Sequence, residues 1–403
     1  MSDCVSRICA PPVSLDAALE RLEVGIASVG PEETPGDGEW GVIRLGAVTS
    51  GQFDPAKAKR LPASVAPRPT LEIQQGDVLV VRVNGSRDLV GSVCVVGQVP
   101  PRLMLSDLVM RLVADTDIMD PRFLGVVLSV ESVRSQILAR LRGTSGQFQL
   151  PQSEIKSILV PCPSLPEQRR IVEIIDAVSA QERAIETSIT KLNSMMSGAL
   201  DAMLDEFAWD HTLAGATDGA IRNGFSPVES EVWTGVQMLG LGCLTSAGFE
   251  PSQLKNAPSF VAAEHAAMLR DGDLLMSRAN TRELVGLAGV YRDVGSPCIY
   301  PDLMMRIRPS KRCSVDFLAA VLKSPRVRRH VRSMAQGTSE SMVKISASAV
   351  RGIPVPLPSL EEQSRVLEVL CSLSLQTDAE IEELAKLQAL RLGLVGDLLA
   401  GKV

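Results

Sequence analysis

The sequence predicts an α+β fold in which two repeated mixed α/β globules are separated by two long helices. Three observations predict it. Six blocks of sequence return in the same order, the first of them 196 residues downstream. Each half holds short β-branched runs punctuated by Gly, Pro and Asn, the signature of strands. Each half then passes through a Pro-x-Pro-Ser turn into a run of about 40 residues with apolar steps of three and four, the spacing of a coiled-coil helix. At 403 residues and 45% hydrophobic, the chain is long enough for more than one core.

The strand-forming part of each half begins at Gly76-Asp77-Val78-Leu79-Val80-Val81-Arg82-Val83-Asn84, which returns as Gly272-Asp273-Leu274-Leu275-Met276-Ser277-Arg278-Ala279-Asn280. After a one-residue deletion, Arg87-Asp88-Leu89-Val90-Gly91 returns as Arg282-Glu283-Leu284-Val285-Gly286. The block Asp107 to Arg111 matches Asp302 to Arg306. A helical stretch follows in each half, 121–142 and 315–334, in which Phe123-Leu124 and Val127-Leu128 match Phe317-Leu318 and Val321-Leu322. Gly143-Thr144-Ser145 and Gly337-Thr338-Ser339 then form matched loops.

The sixth block opens the long helices. Ser164-x-x-Glu167 and Ser359-x-x-Glu362 are capping boxes: the serine hydroxyl accepts from an orphan first-turn amide and the glutamate reaches back. In the first helix Ile171, Ile175, Val178, Ile185, Ile189, Leu192, Met196, Ala199 and Met203 form the stripe, with Glu182 in one slot. In the second the stripe is Val366, Leu370, Leu373, Ile381, Leu384, Leu387, Leu390, Leu394 and Leu398, and Gly393 and Gly396 count against regularity near its end. Each helix would be on the order of 60 Å long, so the two stripes most economically bury each other. The boundaries that follow are 1–160 for the first globule, 161–209 for the first helix, 210–355 for the second globule and 356–403 for the second helix.

Composition narrows the function classes. The net charge is -6 and aromatics are 3%, so neither a global basic footprint nor an aromatic base-stacking platform is present. Nucleic-acid binding would have to use local patches. Eight scattered cysteines without a Cys-x-x-Cys pair and three distant histidines disfavour a zinc site and a disulfide framework. No segment has the apolar length of a membrane span and the first residues lack the order of a secretory signal, which gives the expectation of a cytoplasmic protein without a membrane partner.

The repeated Pro-x-Pro-Ser-Leu-x-Glu-Gln signature, Pro161 to Gln168 and Pro356 to Gln363, together with two unequal globules around two long helices, resembles the specificity (S) subunit of Type I restriction-modification enzymes. The resemblance covers nearly the whole chain. It implies two target-recognition domains, each reading one half of a split site in double-stranded DNA, and an antiparallel coiled coil that spaces them with pseudo-two-fold symmetry. It also implies docking of DNA adenine methyltransferase (M) subunits and a restriction/translocase (R) subunit. The chain itself would be no enzyme and hold no cofactor, S-adenosylmethionine being bound by the partner methyltransferase.

The expected DNA contacts fall in three groups. From Arg306 to Arg332 nine basic residues face one acidic residue, Asp316; Arg326, Arg328, Arg329 and Arg332 are the phosphate-contacting candidates, with a solvated helix face as the plain alternative. Arg134, Arg140 and Arg142 are the thinner version in the first half. Arg82, Asn84 and Arg87, with counterparts Arg278, Asn280 and Arg282, carry side chains competent to read guanine and adenine. Asn84-Gly85 is equally a hairpin-turn signal, and residues shared by both halves explain different half-sites poorly, so backbone positioning suits them better. Thr144 and Ser145, and Thr338 and Ser339, offer hydroxyls to phosphate or serve as connectors.

Catalytic signals fail on inspection. Gly396 to Lys402 imitates a phosphate-binding loop, but Val403 stands where Ser or Thr is required. Glu154-Ile155-Lys156, with Asp107 upstream, resembles part of a nuclease metal site, yet the second half has Ala349 and Arg351 there. Two functions remain: a non-catalytic DNA-recognition subunit, favoured by the basic run, and a coiled-coil protein-interaction scaffold without sequence-specific DNA binding, favoured by the acidic total.

Overall fold

The computed structural model describes residues 12–27, 32–143, 146–218, 221–262, 264–337 and 342–399. It divides into two compact units, one formed by 1–185 with 383–403 and the other by 186–382. Each unit therefore holds one globule and one half of each long helix.

In the first globule the run Val78–Val81 is buried at every position, because it separates two cores. Alternate side chains of a strand point to opposite faces. Val78 and Val80 join Phe123, Leu124 and Val127 in one core, while Leu79 and Val81 join Ile43, Cys94 and Leu105 in the other. This strand is central in an antiparallel four-stranded sheet of order Leu19–Val24, Val109–Ala114, Val78–Val81, Val93–Val95. A three-stranded sheet places Gly41–Ile43 between Ala58–Arg60 and Leu103–Met104, the latter parallel.

The second globule repeats this plan strand for strand. Its four-stranded order is Arg222–Asn223, Met304–Ile307, Leu274–Ser277, Ala288–Val290, and its three-stranded order is Leu254–Asn256, Gln237–Leu239, Cys298–Ile299. Leu274 and Met276 face one core and Leu275 the other. The single helical stretch expected in each half is two helices. Pro121–Leu128 and Glu131–Ala139 are separated at Ser129 and Val130 in the first half. In the second, Val315–Lys323 and Pro325–Met334 are separated at Ser324. The reason is local: Pro325 has no amide to continue the preceding helix, and the Ser324 hydroxyl caps the next one by accepting from Val327 N at 3.4 Å.

The long helices are Leu165–Asp205 and Leu360–Leu399. The second capping box forms in both directions, Ser359 Oγ accepting from Glu362 N at 3.3 Å, and the first forms on its glutamate side. Glu167 Oε2 accepts from Ser164 N at 3.0 Å and Glu362 Oε2 accepts from Ser359 N at 2.8 Å. The glutamine that ends each signature has its own task. Gln168 is completely buried, accepts from Asp120 N and donates to Ile118 O and Pro163 O, all at 2.8 Å. Gln363 accepts from Ser314 N at 2.8 Å and donates to Arg312 O and Pro358 O, both at 2.9 Å. Each side chain ties the long helix to the turn before the short helices.

The helices pair antiparallel within both units. In the first, Val395 and Leu399 share a core with Ile171 and Ile175, and Glu182 accepts from Arg391 Nε at 2.8 Å. In the second, Val366 shares a core with Leu200 and Leu204, and the Ser188 hydroxyl donates to Glu380 at 3.0 Å. The stripe expected on the first helix is sheltered throughout. On the second, Ile381 and Leu390 are exposed; Thr377 and Glu380 and then Arg391 face inward instead. Arg391 answers Glu182, which draws the polar position into register and turns Leu390 to water. The helix continues through Gly393 and Gly396, because Leu394, Val395, Leu398 and Leu399 pack on the first globule's core, and that burial outweighs the glycine penalty of roughly 1 kcal/mol each. Among the described residues, no helix is long and apolar enough to cross a membrane.

Candidate nucleic-acid interface

The two-residue strands Val83–Asn84 and Phe148–Gln149 pair antiparallel, as do Ala279–Asn280 and Val343–Lys344. Each ladder lies close in sequence to a matched glycine, Gly143 or Gly337. Arg142 and Gln149 exchange two backbone bonds at 2.9 and 2.8 Å, and Gln336 and Lys344 do so at 2.9 and 2.8 Å. Leu150 N donates to Arg82 O, and Ile345 N to Arg278 O, both at 2.9 Å. In the first globule, Arg82, Asp107, Arg142, Gly143, Gln147 and Gln149 line an open groove of about 260 Å³ beside this ladder.

The arginines shared by both halves are spent on their own globules. Arg82 donates to Asp107 O at 3.1 Å, and Arg278 to Asp302 O at 3.5 Å. Arg87 donates to Leu138 O at 3.1 Å, and Arg282 to Arg332 O at 3.2 Å. Arg134 donates to Val90 O and Asp88 O, and Arg328 to Val285 O and Glu283 O. The last pair clips the 87–91 and 282–286 loops, whose Gly91 and Gly286 have φ of +78° and +76°. Burial, aided by Arg332, pulls the Arg328 guanidinium down to about 10, so it stays charged at neutral pH as an internal brace. Asn84 accepts from Ser86 N at 2.9 Å and Asn280 from Thr281 N at 2.8 Å, bonds that shape turns.

The basic run of the second half divides in the same way. Arg306 is buried, donating to Met268 O at 2.7 Å and Ala266 O at 3.0 Å beside Asp273. Its counterpart Arg111 binds Glu72 O, Thr70 O, Asp77 and Glu23. Lys323 donates to Ala247 O at 2.6 Å. The arginines of the helix Pro325–Met334 that reach solvent are Arg326, Arg329 and Arg332, spaced i, i+3, i+6. Arg326 stacks 4.1 Å from the Trp209 ring centroid and pairs with Asp205 at 3.3 Å. Arg332 donates to Glu283 O at 3.3 Å. In the first half Arg140 donates to Ser157 Oγ at 3.2 Å and Gln136 O at 3.0 Å, while Arg142 is held by Glu154 at 2.7 Å. Thr144, Ser145, Thr338 and Ser339 lie outside the described residues.

Sequence reasoning passed over Gln147, Gln149, Gln336, Met342 and Lys344, which flank the ladders. These positions lie outside the six repeated blocks, beside the matched Gly143 and Gly337, and only the common register of the two ladders aligns them.

Residues 72–194 match the model of the Type I restriction modification DNA specificity domain. This stretch is similar to the DNA specificity domain of Type I systems. It carries the first ladder, the first Gln clamp and most of the first long helix, and its elements recur in the second half. The chain is similar to several Type I specificity subunits. It is 29% identical over 147 residues to the Type I restriction enzyme EcoEI specificity subunit of Escherichia coli, covering 36% of this chain and 25% of the relative. It is 24% identical over 193 residues to the EcoKI specificity subunit of E. coli K12, covering 47% and 41%. With the MjaVIII specificity subunit of Methanocaldococcus jannaschii it shares 22% identity over 323 residues, 74% of each. The first two alignments thus span well under two thirds of those relatives. In fold, a chain from a solved type I R-M system superposes with a TM-score of 0.59 at 20% identity, covering 98% of each chain. The S subunit of the M. genitalium Type I restriction-modification system does so with 0.50 at 14% identity, covering 96% and 95%. These two likenesses show a shared fold along nearly the whole chain.

Proposed function

We propose that this chain is the non-catalytic DNA sequence-recognition subunit of a Type I restriction-modification complex. Each globule reads one half of a bipartite site in double-stranded DNA. The helix pair sets the gap between the halves and docks methyltransferase subunits, which bind S-adenosylmethionine and methylate adenine; a restriction/translocase subunit completes the system. The observation that carries this reading is the duplication: the sheets and the ladder of the matched specificity domain recur in the second globule with different surface side chains. A twofold protein suits a two-part site, and unequal copies suit unequal halves. The exposed Arg326, Arg329 and Arg332 supply phosphate contacts that position without specifying.

The test is to co-express the chain with a Type I adenine methyltransferase and map methylated adenines across a genome. A bipartite motif that appears only when the chain is present supports the reading. Methylation by the chain alone, or a motif with one contiguous part, overturns it. The gap is tested by lengthening both helices by seven residues, between 185 and 186 and between 382 and 383. Both insertions are needed because the helices pair on either side of these points. At 1.5 Å per residue the added length is on the order of 10 Å, or roughly three base pairs of 3.4 Å. An unchanged gap would remove the spacing role and leave docking alone.

A further inference from the structure

We infer that the two half-sites are told apart by three matched positions around the ladders: Arg142, Gln147 and Gln149 in the first globule, and Gln336, Met342 and Lys344 in the second. The inference rests on the proposed two-part recognition and names the side chains that perform it.

Three observations lead to these positions. The first is that the backbone frame is common to both globules. The paired strands share one register, and the two-bond bridge between 142 and 149 or 336 and 344 (2.9 and 2.8 Å in each) and the bond from Leu150 or Ile345 to the shared arginine carbonyl (2.9 Å in each) have the same lengths in both globules. A side chain at a matched position is therefore presented in the same local setting, so a difference in reading follows a difference in residue. The second is that the shared arginines cannot discriminate. Arg82 with Arg278, Arg87 with Arg282 and Arg134 with Arg328 are identical in type and bind matched carbonyls. The third is exposure. Arg142, Gln147, Gln336, Met342 and Lys344 are exposed and Gln149 is half-buried, in the first globule around a groove that opens to solvent.

The chemistry at the three positions differs in ways that matter to base edges. The Arg142 side chain is 69% exposed and Glu154 holds one edge of its fork. That contact orients the guanidinium and leaves other donors outward, as guanine O6 and N7 require. In the second globule the carboxylate and the arginine have both gone: Ala349 stands at the place of Glu154 and Gln336 at that of Arg142. A glutamine offers one donor and one acceptor, the pattern that suits adenine. Gln147 against Met342 exchanges an amide for an apolar contact that suits the thymine methyl, and Gln149 against Lys344 exchanges an amide for a cation.

The test uses the full chain in complex with its methyltransferase partner and a pool of duplexes randomised in both half-sites. Bound DNA is selected and sequenced for the wild type, for Arg142→Gln and for Lys344→Gln. Because both side chains are exposed, unchanged thermal unfolding is expected. Arg142→Gln should lower preference for the wild-type base at one position of one half-site by about tenfold or more, since a bidentate pair discriminates by roughly 1–3 kcal/mol. Lys344→Gln should alter only the other half-site. If either variant weakens binding equally on all sequences, its role is with phosphate and the assignment is overturned; the same follows if one variant alters both half-sites. If the wild-type complex enriches no bipartite sequence, the proposed function fails first.

Discussion

Removing the buried glutamine at the start of the first long helix tests how that helix is fixed to its globule. In Gln168→Ala three backbone groups lose the bonds now made at 2.8 Å around a side chain with no exposure: Asp120 N and Pro163 O, and Ile118 O, which keeps only the weak Cys162 thiol contact at 3.6 Å. A buried polar group left unpaired costs roughly 1–3 kcal/mol. Water entering the vacated space can recover part of that, so about 3 kcal/mol for the first unit is the expected loss. Gln168→Glu keeps the acceptor for Asp120 N but turns an oxygen toward two carbonyl oxygens. It should cost at least as much at neutral pH and less where the carboxyl is protonated and can donate. With two units, one global unfolding midpoint is not well defined, so the assay is amide hydrogen exchange read by peptide. Gln168→Ala should deprotect 118–128, and Gln363→Ala should deprotect 312–323, each leaving the other segment unchanged. A Gln168→Ala protein with wild-type protection at 118–128 would refute the clamp.

Gly286→Ala should destabilise the second globule by at least about 2–3 kcal/mol, read as lost amide-exchange protection in 274–290 and 325–334, because a Cβ at φ +76° would run into Val331 and the Arg328 guanidinium. Glu182→Ala should cost about 1–2 kcal/mol, discounted because Arg391 is 32% exposed, whereas a Glu182→Leu, Arg391→Leu double variant should regain that loss or exceed the wild type in thermal unfolding. Replacing Arg326, Arg329 and Arg332 together by Gln should weaken binding equally on specific and random duplexes and flatten the log affinity against log salt slope by up to about three, measured by fluorescence anisotropy. A loss confined to one sequence would contradict the phosphate role.

The parts legible in the sequence were those set by local chemistry. Ser164 with Glu167 and Ser359 with Glu362 announce helix starts whatever surrounds them, and the duplicated order fixes a duplicated sheet plan. What was not legible depends on partners distant in sequence. An inward Glu182 was visible, but its partner was not. Leu390 and Arg391 are adjacent, hydrophobicity favours Leu390, and only the 2.8 Å bond between Glu182 and Arg391 decides which faces in. The arginines mislead for the same reason. A guanidinium bonded to a carbonyl some 40 to 50 residues away, as in Arg134 or Arg328, reads in sequence like one waiting for phosphate. Conversely, Gln149 and Lys344 gain their interest from a ladder that no periodicity marks.

The division of the helices between the units bears on the order of assembly during synthesis. Everything in the unit 186–382 is contiguous, so it can close its core as soon as that stretch has left the ribosome. The other unit needs Leu394 to Leu399 against Ile171 and Ile175, segments about 220 residues apart, and joining them carries the entropy of a long loop. The first globule to be translated is thus the last to be completed. Until then, the apolar ends of its helix and the core beneath stand open, which makes that interval the one in which a chaperone or an early-binding subunit has something to hold.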